Sequence, residues 1–159
     1  MRKTIIFDED ITADGVNNLI NQIHGLEEVD LFFSTDGGNP NYMKALINFL
    51  NFYEGNLRVF LNHIVASAGV TMLTEFKGAK NIDELDILML HATDRFTGNT
   101  RRSKAETICI ERDKENLQKD LKFLKKFGLS EKELLKYQAG KDVILSNKRV
   151  RQLKIKNLF

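Results

Sequence analysis

Strand-length apolar runs alternate with segments of helical period in the N-terminal part of this chain, which leaves few architectures open to it. Thr4–Phe7, Val29–Phe33, Leu57–Leu61 and Asp86–Leu90 are rich in β-branched, aromatic and leucine side chains. Between the first two, Asp10 or Thr12 can cap a helix whose positions Val16, Leu19, Ile20 and Ile23 follow the 3.6-residue period. Asn41–Tyr53 carries Met43, Leu46, Ile47 and Leu50 along one side, and Gly55 ends it. Val70 opens a further helix through Phe76, closed by Gly78. Repeats of this kind imply βαβ units and an α/β fold with a mostly parallel sheet. In such sheets, sites collect at the carboxyl ends of the strands.

The remainder of the chain reads differently. Thr93–Arg102 is polar and loop-like, and from Ser103 a long helix runs to about Phe127, with Ile110, Leu117, Leu121 and Leu124 as a stripe. Gly128 stops it, and Ser130 with Glu133 has the spacing of a capping box. Lys141–Leu145 is extended, Ser146 can cap a short helix, and Leu153–Ile155 can add an edge strand. The 159 residues suit one domain.

Composition excludes several function classes. No apolar run approaches the roughly 18 residues of a membrane span, and the N-terminus turns acidic too early for a secretory leader. The single cysteine, Cys109, rules out an internal disulfide, suits a reducing cytoplasmic setting, and reads as a small residue on a helix face. No His/Cys cluster has zinc spacing and no phosphate-loop motif appears, so neither a metal nor an organic cofactor is expected. Residues 1–100 carry 7 Lys/Arg against 14 Asp/Glu, whereas residues 101–159 carry 17 against 8. This asymmetry favours contacts between copies of the chain. Nucleic acid is not expected as a partner, because the basic residues are interleaved with acids and lack aromatic residues for base stacking.

Three strand ends carry the candidate chemistry. Ser34-Thr35-Asp36-Gly37-Gly38 follows the second strand, Val65-Ala66-Ser67-Ala68-Gly69 comes after the third, and His91 ends the fourth. A serine between small residues at a strand-to-helix turn can expose its hydroxyl while the next backbone N–H points at the same spot. Acyl transfer needs that convergence within roughly 3 Å of one carbonyl. Ser67 is therefore the candidate nucleophile and His91 the candidate base, with His63 a less favourable alternative. His24 sits at a helix end beside Gly25, where no further role is needed. Gly37-Gly38 can supply an oxyanion donor or can simply be a turn.

The order of double-glycine loop, Ala-Ser-Ala-Gly, strand-His and late Lys141-Asp142 resembles the proteolytic subunit of Clp-type serine proteases, on the ClpP/crotonase fold. The resemblance spans Ile5 to about Ile155, with 29 residues from Gly38 to Ser67, 24 from Ser67 to His91 and 51 from His91 to Asp142. It implies one domain with a head of about 1–92 and 139–159, a protruding helical handle over about 93–138, and a serine endopeptidase working through an acyl-enzyme. It also implies Asp142 as the third member of the triad, with Asp94 the nearby competitor, and the backbone N–H groups of Gly38 and Ala68 as the oxyanion hole. The implied partners are a peptide or unfolded protein substrate and further copies of the chain in a ring, or in stacked rings. An AAA+ unfoldase is less well supported, since the first strand begins by Thr4 and the family's axial-entrance segment has no counterpart. Thr35-Asp36 replaces the family's usual Ser-Pro before the glycines, Ala68 replaces Met, and Thr93 replaces Pro. The alternatives are a crotonase-like enzyme acting on acyl-thioesters and a non-catalytic assembly partner.

Overall fold

A computed structural model describes residues 1–92, 104–156 and 158–159, and the side chains of 104–113 lie outside that description. The expected loop over 93–102, Asp94, and the side chains of Cys109 and Ile110 therefore lie outside the described residues. The chain divides into two compact units, Met1–Leu90 with Ile144–Phe159, and His91–Val143.

The first unit is built on a sheet. Strands β1 (Lys3–Asp8), β2 (Glu28–Thr35), β3 (Asn56–Ala66), β4 (Ala79–Asn81), β5 (Leu85–Leu90) and β6 (Val143–Ser146) are ordered β1-β2-β3-β5-β6, with β4 also paired to β3. The β1–β2, β2–β3, β3–β4 and β3–β5 pairings are all parallel. Helices α1 (Ala13–Ile23) and α2 (Pro40–Phe52) make the first two crossovers and touch each other. The expected α/β fold with a mostly parallel sheet is what the chain adopts.

Apolar alternation explains the core. Ile5, Phe7, Val29, Leu31, Phe33, Val59, Leu61 and Val65 are all buried, as are Val16, Leu19 and Ile23 of α1 and Met43, Leu46, Ile47 and Leu50 of α2. Phe7 and Phe33 stack across β1 and β2 with ring centroids 5.3 Å apart. Thr12 is the cap of α1, its hydroxyl accepting from the Gly15 N–H at 3.1 Å, and Asn39 caps α2 in the same way.

Four local expectations are corrected. The third strand does not stop at Leu61. It continues to Ala66 through a register shift at His63, whose φ of 55° breaks the alternation that sequence reading relies on. The helix after Ser67 is a 3-10 turn, Ser67–Val70, followed by the short α3, Thr71–Glu75. Leu153–Ile155 forms no strand, because the Leu153 N–H turns back to the Val150 carbonyl at 2.9 Å and buries Leu153. The chain reaches the sheet later, where Leu158 bridges Lys80. Ser146 precedes a short helix, α6 (Asn147–Val150), but caps nothing with its side chain. Instead the Asn147 amide donates to the carbonyls of Ile82 and Leu85.

The second unit contains α4 (Lys104–Phe127) and α5 (Glu131–Gln138), which touch each other. The Ser130–Glu133 capping box forms, with the Ser130 N–H donating to Glu133 Oε2 at 2.7 Å. Of the expected stripe, Leu117 and Leu124 are buried and Leu121 half-buried. Phe127, Leu129 and Tyr137 are buried as well, and the Tyr137 hydroxyl donates to Asp120 Oδ2 at 3.3 Å.

Lys80 is an unanticipated core residue at 1% exposure. Its ammonium donates to the carbonyls of Phe76 and Gly78 and lies 5.1 Å from the Phe76 ring centroid. Burial without a carboxylate pushes its pKa down to about 8 from the ordinary 10.5. Between those values the folded protein binds fewer protons than the unfolded chain, so folding becomes more favourable as pH rises. Urea denaturation at pH 8 to 10.5 should show wild type gaining on Lys80→Met, with a slope of at most about 1.4 kcal/mol per pH unit. Parallel curves for the two proteins would refute the assignment.

Candidate active site

Ser67 lies where β3 hands over to the 3-10 turn, and its own backbone is left-handed, with φ of 52°. A non-glycine residue held there costs on the order of 1–3 kcal/mol and persists only where its surroundings over-determine it. A strained strand-to-helix turn of this kind is how the nucleophile-elbow serine hydrolases expose their serine. Here Ser67 is half-buried, and β3 and β5 run side by side into this edge with Ala66 opposite Met89.

The glycine loop is packed against the serine. A Cβ built on Gly37 would stand 2.6 Å from Ser67 Cβ and 3.2 Å from Ser67 Oγ, and φ at Gly37 is +118°. Gly38 has φ of +137°, and a Cβ there would meet the Ile11 carbonyl oxygen at 2.5 Å. The loop is clamped on that side by Ile11, whose N–H donates to the Gly37 carbonyl at 2.7 Å and whose carbonyl accepts from the Asn39 N–H at 2.9 Å. No hydrogen bond takes up the Gly38 N–H among the described residues. The Ala68 N–H belongs to the first turn of a helical segment, where backbone donors have no partner within the turn.

Thr35 and Gly69 stand in the two candidate motifs, but sequence reading gave neither a role. The buried Thr35 hydroxyl accepts from the Gly37 N–H at 3.1 Å and donates to the Gly37 carbonyl at 3.3 Å, closing the loop on itself. A Cβ on Gly69 would fall 2.4 Å from Thr35 Cγ2, so only glycine lets the 3-10 turn settle over this threonine. A threonine two residues before a glycine is a hydroxyl-turn pattern that could have been read from sequence. The chain's departure at Thr35 is thus a local clasp, and the Asp36 side chain is exposed.

His91 and Asp142 belong to the second unit, at the points where the chain leaves β5 and returns to β6. His91 Nδ1 lies 3.0 Å from the Ala92 carbonyl oxygen. In the neutral ring Nδ1 is therefore the protonated nitrogen and Nε2 the acceptor, the tautomer a general base requires. Asp142 is exposed. His63 is part of β3, not past it, and its exposed ring faces Asp86, with Nδ1 3.2 Å from Asp86 Oδ2. Among the described residues no cluster of His, Cys, Asp and Glu could hold a metal ion, and no helix is long and apolar enough to cross a membrane.

The backbone as a whole is similar to that of a ClpP1 mutant from Listeria monocytogenes, with a TM-score of 0.65. The chain has a ClpP-like fold. The similarity covers 98% of this chain and 90% of that one at 17% sequence identity. No protein-family model matches the sequence, and no curated protein matches it.

Packing between Gly37 and Ser67 can be separated from backbone strain. Gly25 also has a positive φ, +79°, but open space around its missing side chain. Gly25→Ala should register strain alone, whereas Gly37→Ala adds a collision and should lose at least about 1 kcal/mol more in urea unfolding. Equal losses would show that the loop does not press on Ser67.

Proposed function

We propose that this chain is a serine endopeptidase of Clp type. The observation that carries the reading is Ser67 itself: a half-buried serine in left-handed backbone at a strand-to-helix turn, with the Gly37 backbone against its side chain. In this mechanism Ser67 Oγ attacks the scissile carbonyl while His91 Nε2 takes its proton. The C–O bond formed and the C=O π pair displaced give a tetrahedral oxyanion, which the Gly38 and Ala68 N–H groups stabilise. Collapse expels the amine, protonated by His91, and water then resolves the acyl-enzyme by the same steps. Asp142 is assigned to orient His91, fixing its tautomer, and to stabilise the imidazolium that forms.

A fluorophosphonate probe tests this without knowledge of the substrate. Wild type should be labelled and Ser67→Ala should not, with both proteins equally folded. Asp142→Asn should lower the labelling rate by orders of magnitude by favouring the wrong imidazole tautomer, a change that costs about 10⁴ in kcat in the best-studied triad. Labelling of Ser67→Ala at the wild-type rate would remove the nucleophile assignment. If Asp94→Asn abolishes labelling and Asp142→Asn does not, the third member of the triad is Asp94.

The substrate reading is a peptide or unfolded protein, and the assembly reading is a homo-oligomer of the ring-forming Clp kind. The acidic residues 1–100 and the basic residues 101–159 support contacts between copies. Light scattering at micromolar concentration should give a multiple of the 18.3 kDa monomer mass, falling as salt is raised. A monomer mass at both low and high salt would refute assembly.

A further inference from the structure

β1, β2 and β3 end side by side, and their last residues form a row on the face of the sheet opposite Phe7, Phe33 and Val65. Asp8 of β1 stands opposite Ser34 of β2, and Ser34 stands opposite the bulged Asn62–Ile64 segment of β3. This row floors a depression of about 90 Å³ lined by Asp8, Glu9, Asp10, Ser34, Thr35, Asp36 and Ile64; the Glu9 carboxylate turns toward the start of α1, where a Cβ on Gly15 would meet it at 3.1 Å. None of the four carboxylates has an ion-pair partner among the described residues.

The second observation is beneath them. Ser34 is 2% exposed, and its Oγ has no hydrogen-bond partner. Asn62 Oδ1, on the bulged segment opposite, is also buried without a partner, but Asn62 does not line the depression. Orphaned buried polar atoms are rare because each forfeits a hydrogen bond it had in water. Acceptors thus dominate the depression, and what they lack is a positively charged donor. The carboxylates are not grouped closely enough to hold a bare metal ion. Ammonium and guanidinium heads have several N–H donors spread over a few ångströms, and their methylene stems can lie along an apolar wall such as Ile64. About 90 Å³ is the space of roughly three waters, enough for one such head.

The location bears on substrate. Thr35 and Asp36 run directly into Gly37-Gly38, and Ile64 precedes Ser67 by three residues. We propose that this depression is a substrate pocket that receives the side chain of a lysine or arginine in a peptide bound across Ser67. The proposal rests on the peptidase reading above and adds a substrate class to it: basic peptides are held by Asp8, Glu9, Asp10 and Asp36, with Ser34 accepting from the charged head.

Binding, not turnover, is the appropriate readout. Two fluorescent peptides, identical except for lysine or norleucine at one position, are titrated by anisotropy against the full-length Ser67→Ala protein. The lysine peptide should bind on the order of tenfold tighter at low salt, and the preference should shrink to about twofold near 0.5 M salt. Asp8→Asn with Asp10→Asn should reduce it likewise, and Asp36→Asn alone serves if the double variant unfolds. Equal binding of the two peptides, or a preference untouched by these variants, overturns the pocket. Loss of the preference in millimolar Mg²⁺ at matched ionic strength would assign the site to inorganic cations and overturn it too. A lysine preference in a protein that no fluorophosphonate labels would uphold the pocket while removing the peptidase reading. Labelling without the preference would do the reverse.

Discussion

Two backbone segments in this protein approach more closely than side chains permit, and the geometry at the strand ends depends on that contact. The loop after β2 presses on the turn after β3, with Gly37 against Ser67 and Thr35 beneath Gly69. Neither segment could keep its conformation alone. Ser67 is strained in the left-handed region, and Gly37 and Gly38 have no intrinsic preference for the φ values they hold. The parallel pairing of β2 with β3 brings the two together. The Thr35 clasp and the Ile11 clamp then leave the loop no room to retreat. Strain at Ser67 is thus held in place by packing and hydrogen bonds elsewhere, the condition under which a nucleophile can be pre-aimed.

The third strand is the spine of this arrangement. Its first part pairs with β4 and its second with β5 along the same edge, with the change of partner near His63. The positive φ at His63 and the register shift beside it re-aim the strand's last residues, so that Val65 and Ala66 enter the core and Ser67 emerges at the edge. Across β1 to β3 the sheet is also tied by charge at its other end. Arg58 makes a two-pronged contact with Asp30 at 2.8 and 2.6 Å, and Arg2 adds a third bond at 3.1 Å. Hydrogen bonding from Arg58 is the main cause that holds the Asp30 carboxyl below its ordinary pKa, a half-exposed arrangement that aligns strands more than it stabilises them.

Charge is unevenly used in this chain. Lys80 is buried among carbonyls with its pKa lowered, while four carboxylates at the ends of β1 and β2 face water without partners. Both are departures from the ordinary pattern, in which buried charges are paired and exposed ones are interspersed. The lysine has a structural account, since its ammonium satisfies the carbonyls of Phe76 and Gly78 after α3. The carboxylates have no ion-pair partner among the described residues, and a basic side chain in the proposed pocket would supply one.

Periodicity alone determined the layered α/β architecture. Leu31 and Phe33 alternate as a strand must, and Val16, Leu19 and Ile23 recur as a helix must, because burial of one face enforces those spacings. The small residues around Ser67 and the glycine pair were equally legible, since only they allow backbones to meet. The end of β3 was not, because a left-handed histidine inside a strand has no signature in composition. Nor was the short β4, whose Lys80 reads as a surface residue until the fold buries it. Leu153–Ile155 had strand-like chemistry, but the preceding turn of α6 aimed it elsewhere. Sequence decided which segments could hold strands, helices and close turns, through local sterics and hydrophobic spacing. Tertiary structure decided which of them met, because the Gly37–Ser67 contact and the row Asp8–Ser34–Ile64 exist only once parallel strands far apart in sequence are in register.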